Sequence, residues 1–164
     1  MTTTKKTTTR KTRTPKKRLP PNPFIHEVLE LVCEQRTKAK KIEVLQEYRD
    51  DSLTAILIWN FDESVISAVP DGQVPYKENE VPVGTDHTSL RREWKTLYHF
   101  VRGGNDKLNN LRRETMFVQL LEGLHPREAE IVCLVKDKRL TDVYKITQQQ
   151  VEEAYPDIVW GDRS

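Results

Sequence analysis

Eight lysines and arginines and no aspartate or glutamate stand in the first eighteen residues, MTTTKKTTTRKTRTPKKR, which excludes this stretch from any packed core. Such an arm cannot bury enough apolar surface to offset the entropy of ordering it. Taking its eight charges from the chain's 27 basic residues leaves 19 against 25 acidic ones, so residues 19–164 carry a formal charge of −6 although the whole chain reads +2. A polycation joined to an acidic body is suited to holding a polyanion by displacing its condensed counterions. Nucleic acid is therefore the first partner expected, DNA ahead of RNA, through Lys5, Lys6, Arg10, Lys11, Arg13, Lys16, Lys17 and Arg18. If all eight reach phosphates, the log–log salt slope of binding is roughly −6 to −7. A solubilising tail and a nuclear localisation run are the other uses of such a segment.

Residues 1–22 form this arm with its proline linker, and residues 23–164 are of a size for one domain with one core. No stretch approaches about 18 consecutive apolar residues, so no membrane span is expected. No apolar core follows the opening charges, so a secretory signal is not expected either. Cys33 and Cys133 sit in apolar runs, as small hydrophobes do in a reducing compartment. His26, His87, His99 and His125 lack ligand spacing, and no metal is expected. Phosphate-cradling glycine loops and the Gly-x-Ser-x-Gly elbow are absent from the sequence. Neighbouring carboxylates such as Asp50-Asp51 diverge by about 100° on a helix. No catalytic residues and no cofactor are expected, and the chain reads as a non-enzyme.

The apolar pattern predicts a mainly all-α fold, a single irregular bundle of about six or seven helices. One helix is expected from Pro23 with Asn22 as its cap, a second after Thr37, and a third from Asp51 or Ser52 to Phe61. Residues 62–87 hold Pro70, Gly72, Pro75, Pro82 and Gly84 and read as an irregular crossover, with short strands an open alternative. Val65, Ile66, Val69, Val74, Tyr76, Val81 and Val83 are apolar enough to pack it on the helices. A helix capped by Thr88 or Ser89 should run to Gly103-Gly104, another should start after Asn105 and run to Gly123, and a third should open at His125-Pro126. Thr147 with Gln150 spells a capping box for a last short helix before Pro156.

Four segments carry a family likeness. They are Val28-Leu29-Glu30-Leu31 with Thr37 to Tyr48, Leu120 to Glu130, Val135-Lys136-Asp137-Lys138, and Val151 to Pro156. Together they resemble uncharacterised proteins of T-even-type and other tailed bacteriophages, which implies a phage product in the host cytoplasm or the virion. The first segment, with Trp59 and Phe61, also resembles the opening of the helical N-terminal DNA-binding domain of phage ATP-dependent DNA ligases. The adenylated-lysine motif of those ligases is missing, since Asp71-Gly72 has Val69 where the lysine is needed. The likeness implies a stand-alone DNA-grasping body without joining activity, with Lys38, Lys40, Lys41, Arg91, Arg92, Lys95, Arg112, Arg113, Lys136, Lys138 and Arg139 as phosphate contacts. A phage or host replication, transcription or virion protein is the alternative partner, docked by the acidic body.

Overall fold

The computed structural model of the chain describes residues 18–82 and 87–163. It is mainly all-α, as expected, with seven α-helices and no strands among the described residues. These are α1 (Ile25–Glu34), α2 (Lys38–Glu47), α3 (Asp51–Phe61), α4 (Leu90–Glu93), α5 (Asn110–Gly123), α6 (Pro126–Lys136) and α7 (Gln148–Ala154). A seven-residue 3-10 segment, Trp94–Phe100, continues α4.

Helix α6 is the hub, packing on α1, α3 and α5. Ala129, Ile131, Val132 and Val135 are fully buried, as are Val28, Leu29 and Val32 of α1, Leu53, Ile56 and Leu57 of α3, and Phe117 and Leu121 of α5. Phe100 meets Phe117 edge-on at 5.1 Å between ring centroids.

Two buried charges at opposite ends of α6 fix what surrounds it. Glu128, in the first turn, accepts from the Ile25 N–H at 3.0 Å and the Leu90 N–H at 3.1 Å, joining the starts of α1 and α4 to the start of α6. Burial raises its pKa, and those two N–H groups oppose the rise. Lys136, in the last turn, donates to Pro70 O, Gly72 O and the Asp137 carboxylate, and so holds the crossover down. Each charge also has the sign its end of the helix dipole favours.

The crossover keeps to the expected irregular path. Val65 and Val69 are buried, Val74 and Tyr76 are half-buried, and Ile66 and Val81 stay exposed. Val83 lies outside the described residues. Its only β-pairing among the described residues is an isolated bridge, Ser67 with Val101, and a second bridge, Thr88 with Leu124, lies just beyond it.

Two helix starts and the winding of one helix differ from expectation. Asn22 sits at φ 55 and caps nothing, and α1 begins at Ile25 because Glu27 accepts from the Phe24 N–H and Glu128 from the Ile25 N–H. The helix after Ser89 tightens at Trp94, where the Thr96 hydroxyl donates to Glu93 O and offers that carbonyl an alternative to the α-helical bond. Helix α5 starts at Asn110 with Asn109 as its cap, while Asn105 bonds to the His99 ring instead.

Candidate nucleic-acid interface

Residues 88–113 contain seven basic residues (Arg91, Arg92, Lys95, Arg102, Lys107, Arg112, Arg113) and two acidic ones (Glu93, Asp106), a net +5. The rest of the 19–164 body then carries −11. This stretch comprises α4, the 3-10 segment, the turn after it and the start of α5. A single buried side chain organises it. Arg113 is 6% exposed and donates to His99 O at 2.9 Å, Asn110 Oδ1 at 2.8 Å, and Asn105 O and Leu108 O at 3.0 Å each. Its rigid fork thus ties both ends of the turn to α5. Gly103 takes the left-handed conformation at φ 82, and Gly104 lies so close to the Tyr98 carbonyl that no Cβ could be accommodated there.

On this scaffold Arg92, Lys95, Arg102, Lys107 and Arg112 are exposed, and none forms an ion pair with a carboxylate among the described residues. Lys95 lies 5.8 Å from the Trp94 ring centroid. Tyr98 is 49% exposed and rests on His99 at 4.0 Å between centroids. Lys95 and Tyr98 are three residues apart within the 3-10 segment, which sets their side chains in one row, and Arg92 is exposed in α4 just before it.

A family model described as a family of unknown function, DUF6433, matches residues 28–142. The chain belongs to that family. Neither a curated protein nor a solved structure matches it. The family match contains the whole basic platform and leaves out the arm.

The structure scatters the phosphate contacts expected in the body. Lys38 pairs with Glu153 at 2.8 Å, Lys41 donates to Lys145 O, and Arg139 pairs with Asp142, all at the surface. Arg91 is engaged by Asp50 and Pro23 O. Arg113 and Lys136 are corrections to the expectation, since both are buried with their donors taken inside the fold. Lys138 is exposed but engaged by the fold. It takes the left-handed turn after α6 at φ 55, where glycine is usual, and its Nζ caps the end of α3 through Trp59 O and Asp62 O. Lys40, Arg92, Lys95 and Arg112 remain exposed, as does Arg18 at the arm's end. Lys5, Lys6, Arg10, Lys11, Arg13, Lys16 and Lys17 lie outside the described residues.

Arg102, Lys107 and Tyr98 belong to the platform and went unread in the sequence. A charge count over a 26-residue window finds Arg102 and Lys107, because the −6 of the whole body conceals a +5 segment, whereas Tyr98 carries no charge signal.

Two other clusters lack the chemistry of a site. A cleft of about 540 Å³ is bordered by Arg102, Lys136 and Lys138, yet both lysines are committed to backbone carbonyls. Phe24, His26, His87 and His125 form a ring stack, with His26 and His125 4.7 Å apart and 24° from parallel, so that ring faces rather than nitrogens meet. Among the described residues no group of three His, Cys, Asp or Glu side chains could hold a metal ion. Burial, with His125 and Arg127 nearby, lowers the pKa of His26 to about 4 and keeps the ring neutral.

Proposed function

We propose that this protein is a non-enzymatic phage accessory protein that binds nucleic acid, DNA ahead of RNA, through two cationic elements, the N-terminal arm and the 88–113 platform. It would act in the host cytoplasm or in the virion. The phage assignment rests on the sequence resemblances given above. The binding assignment is carried by one observation: in a body otherwise at −11, five exposed cations without carboxylate partners among the described residues stand on one scaffold. Exposed carboxylates elsewhere would repel a polyanion and orient it toward this segment. The arm contributes affinity without sequence preference, and the platform gives the bound strand a fixed position relative to the body.

Binding to a labelled duplex and a labelled single strand, measured across a salt series, tests this. Deleting residues 2–18 is expected to weaken both at least tenfold and to make the log–log slope shallower by roughly 4 to 7. Equal affinities and slopes for the two proteins would remove the arm from the function.

The acidic remainder of the body supports a second reading, a module docking a basic surface on a phage or host replication, transcription or virion protein. A pulldown that yields one stoichiometric protein after nuclease treatment favours that reading; loss of all partners on nuclease treatment favours the first.

A further inference from the structure

We infer that Tyr98, with Lys95 in the same row and the exposed Arg92 and Arg102 before and after the 3-10 segment, is a stacking site for single-stranded nucleic acid, with Tyr98 carrying an unpaired base between flanking cations. The inference rests on the nucleic-acid reading above and specifies the form of the polymer. Four observations support it.

The first is the 3-10 winding itself, which places Lys95 and Tyr98 in register about 6 Å apart, with Arg92 in the α-helical turn just before it. The exposure pattern agrees: Arg92, Lys95 and Tyr98 are exposed, while Leu90, Leu97 and Phe100 are buried. Secondly, Tyr98 is the exposed aromatic side chain of this basic stretch, with about half its surface open. An exposed large aromatic flanked by cations pairs apolar contact area with charge, the combination that single strands exploit through base stacking and phosphate contact.

Thirdly, the ring is held in advance. His99 backs it at 4.0 Å, Asn105 Nδ2 holds the His99 ring at 3.0 Å, and Arg113 holds the His99 carbonyl. Little side-chain entropy is therefore left to lose when a base arrives. Fourthly, the backbone here cannot relax away, since Gly104 is packed against the Tyr98 carbonyl and the Arg102 N–H is paired to Ile66 O at 2.8 Å.

The site selects between polymer forms by access. A base in a duplex has both faces covered by its neighbours, whereas an unpaired base can be laid on the tyrosine. Phosphates on either side of that base then fall to Lys95 and Arg102. No base edge is read, so sequence preference is small.

Fluorescence anisotropy with the full chain tests the inference on four probes of equal length: an oligothymidylate, an abasic strand with the same phosphates, a mixed-sequence single strand and a duplex. The wild type is expected to bind oligothymidylate at least fivefold more tightly than the abasic strand. Tyr98→Ala is expected to weaken oligothymidylate binding by about 5- to 100-fold, to leave duplex affinity within about twofold, and to leave the salt slope unchanged, because no phosphate contact is lost. Tyr98→Phe keeps the ring and restores wild-type affinity. Equal wild-type binding to abasic and base-bearing strands overturns the stacking site without use of any variant. A Tyr98→Ala protein that melts like the wild type and binds oligothymidylate equally well overturns it too. If the wild type binds none of the four probes at low salt, the nucleic-acid reading falls and the stacking site with it; binding of the duplex and the abasic strand with no gain from bases removes the stacking site alone.

Discussion

The α2–α7 shoulder and the 88–113 platform are both rich in cations, yet they use them differently. On the shoulder Lys38 meets Glu153 and Arg49 meets Asp157 through a two-pronged contact at 2.6 and 2.7 Å, and the bonds run between segments more than a hundred residues apart. On the platform the exposed cations have no carboxylate partner among the described residues, and the one buried arginine binds carbonyls and an amide. The shoulder's charges fasten α2 and the segment after it to the C-terminal part of the chain, at the modest strength exposed pairs have. Arg91 and Arg113 serve the platform's fold, whereas its exposed cations Arg92, Lys95, Arg102, Lys107 and Arg112 tie no carboxylate among the described residues. A basic residue that stabilises nothing is available to a ligand, and local sequence alone does not separate the two kinds.

Adjacent positions in α5 give the sharpest version of this contrast. Arg113→Met leaves four acceptors without their donor and is expected to cost about 3 to 5 kcal/mol in urea unfolding, with little rescue by Arg113→Lys. Arg112→Gln next to it is expected to stay within about 0.5 kcal/mol. Equal costs at the two positions would break the distinction between scaffold and ligand cations.

Acid tests the scaffold in two steps. His26 has its pKa lowered to about 4, so its contribution is fully present above its ordinary value of 6.5 and is lost as pH falls toward about 4; the loss is on the order of 3 kcal/mol. For Asp62, burial alone would raise the pKa, but the Ser64 hydroxyl and N–H, the Gly161 N–H and Arg163 bring it down to about 2. That contribution, about 2 kcal/mol, is present above pH 3.8 and is lost on approaching pH 2. Stability measured from pH 7 to 2.5 should therefore decline first between 6.5 and 4, and His26→Leu should flatten that part of the curve. A smaller effect is expected at Gly72. Gly72→Ala has open space but a φ of 102, and should cost about 1 kcal/mol. Gly104→Ala meets the Tyr98 carbonyl and should cost more than this, with weaker oligonucleotide binding because the turn must move.

Much of the fold was legible where the deciding bonds are local. Thr37 caps α2 through the Lys40 N–H, Thr147 and Gln150 form the capping box of α7, and His125 and Pro126 open α6, all between residues three or fewer apart. What the sequence hid depends on distant partners. Nothing around Glu128 announces that its carboxylate will hold Ile25 and Leu90, or around Lys136 that it will reach Pro70 and Gly72. The cap of α5 is Asn109 rather than Asn105 because the Asn105 side chain is held by His99 and its carbonyl by Arg113, contacts beyond the span of a capping motif. The candidate site was half legible: Arg92, Lys95 and Arg112 were read as contacts, but Arg113 beside them was indistinguishable until packing turned one inward and left the other out.

Two charge-matched triple variants measure the central claim. Arg92→Gln, Lys95→Gln and Arg112→Gln together are expected to weaken single-strand binding about 10- to 100-fold and to make the log–log salt slope shallower by about 2 to 3. Lys38→Gln, Arg49→Gln and Arg127→Gln together remove the same formal charge from side chains paired with Glu153, Asp157 and Glu30, and should leave the slope within about 0.5 of the wild type. Equal changes in slope for the two triples would show that only net charge matters, and would contradict the platform.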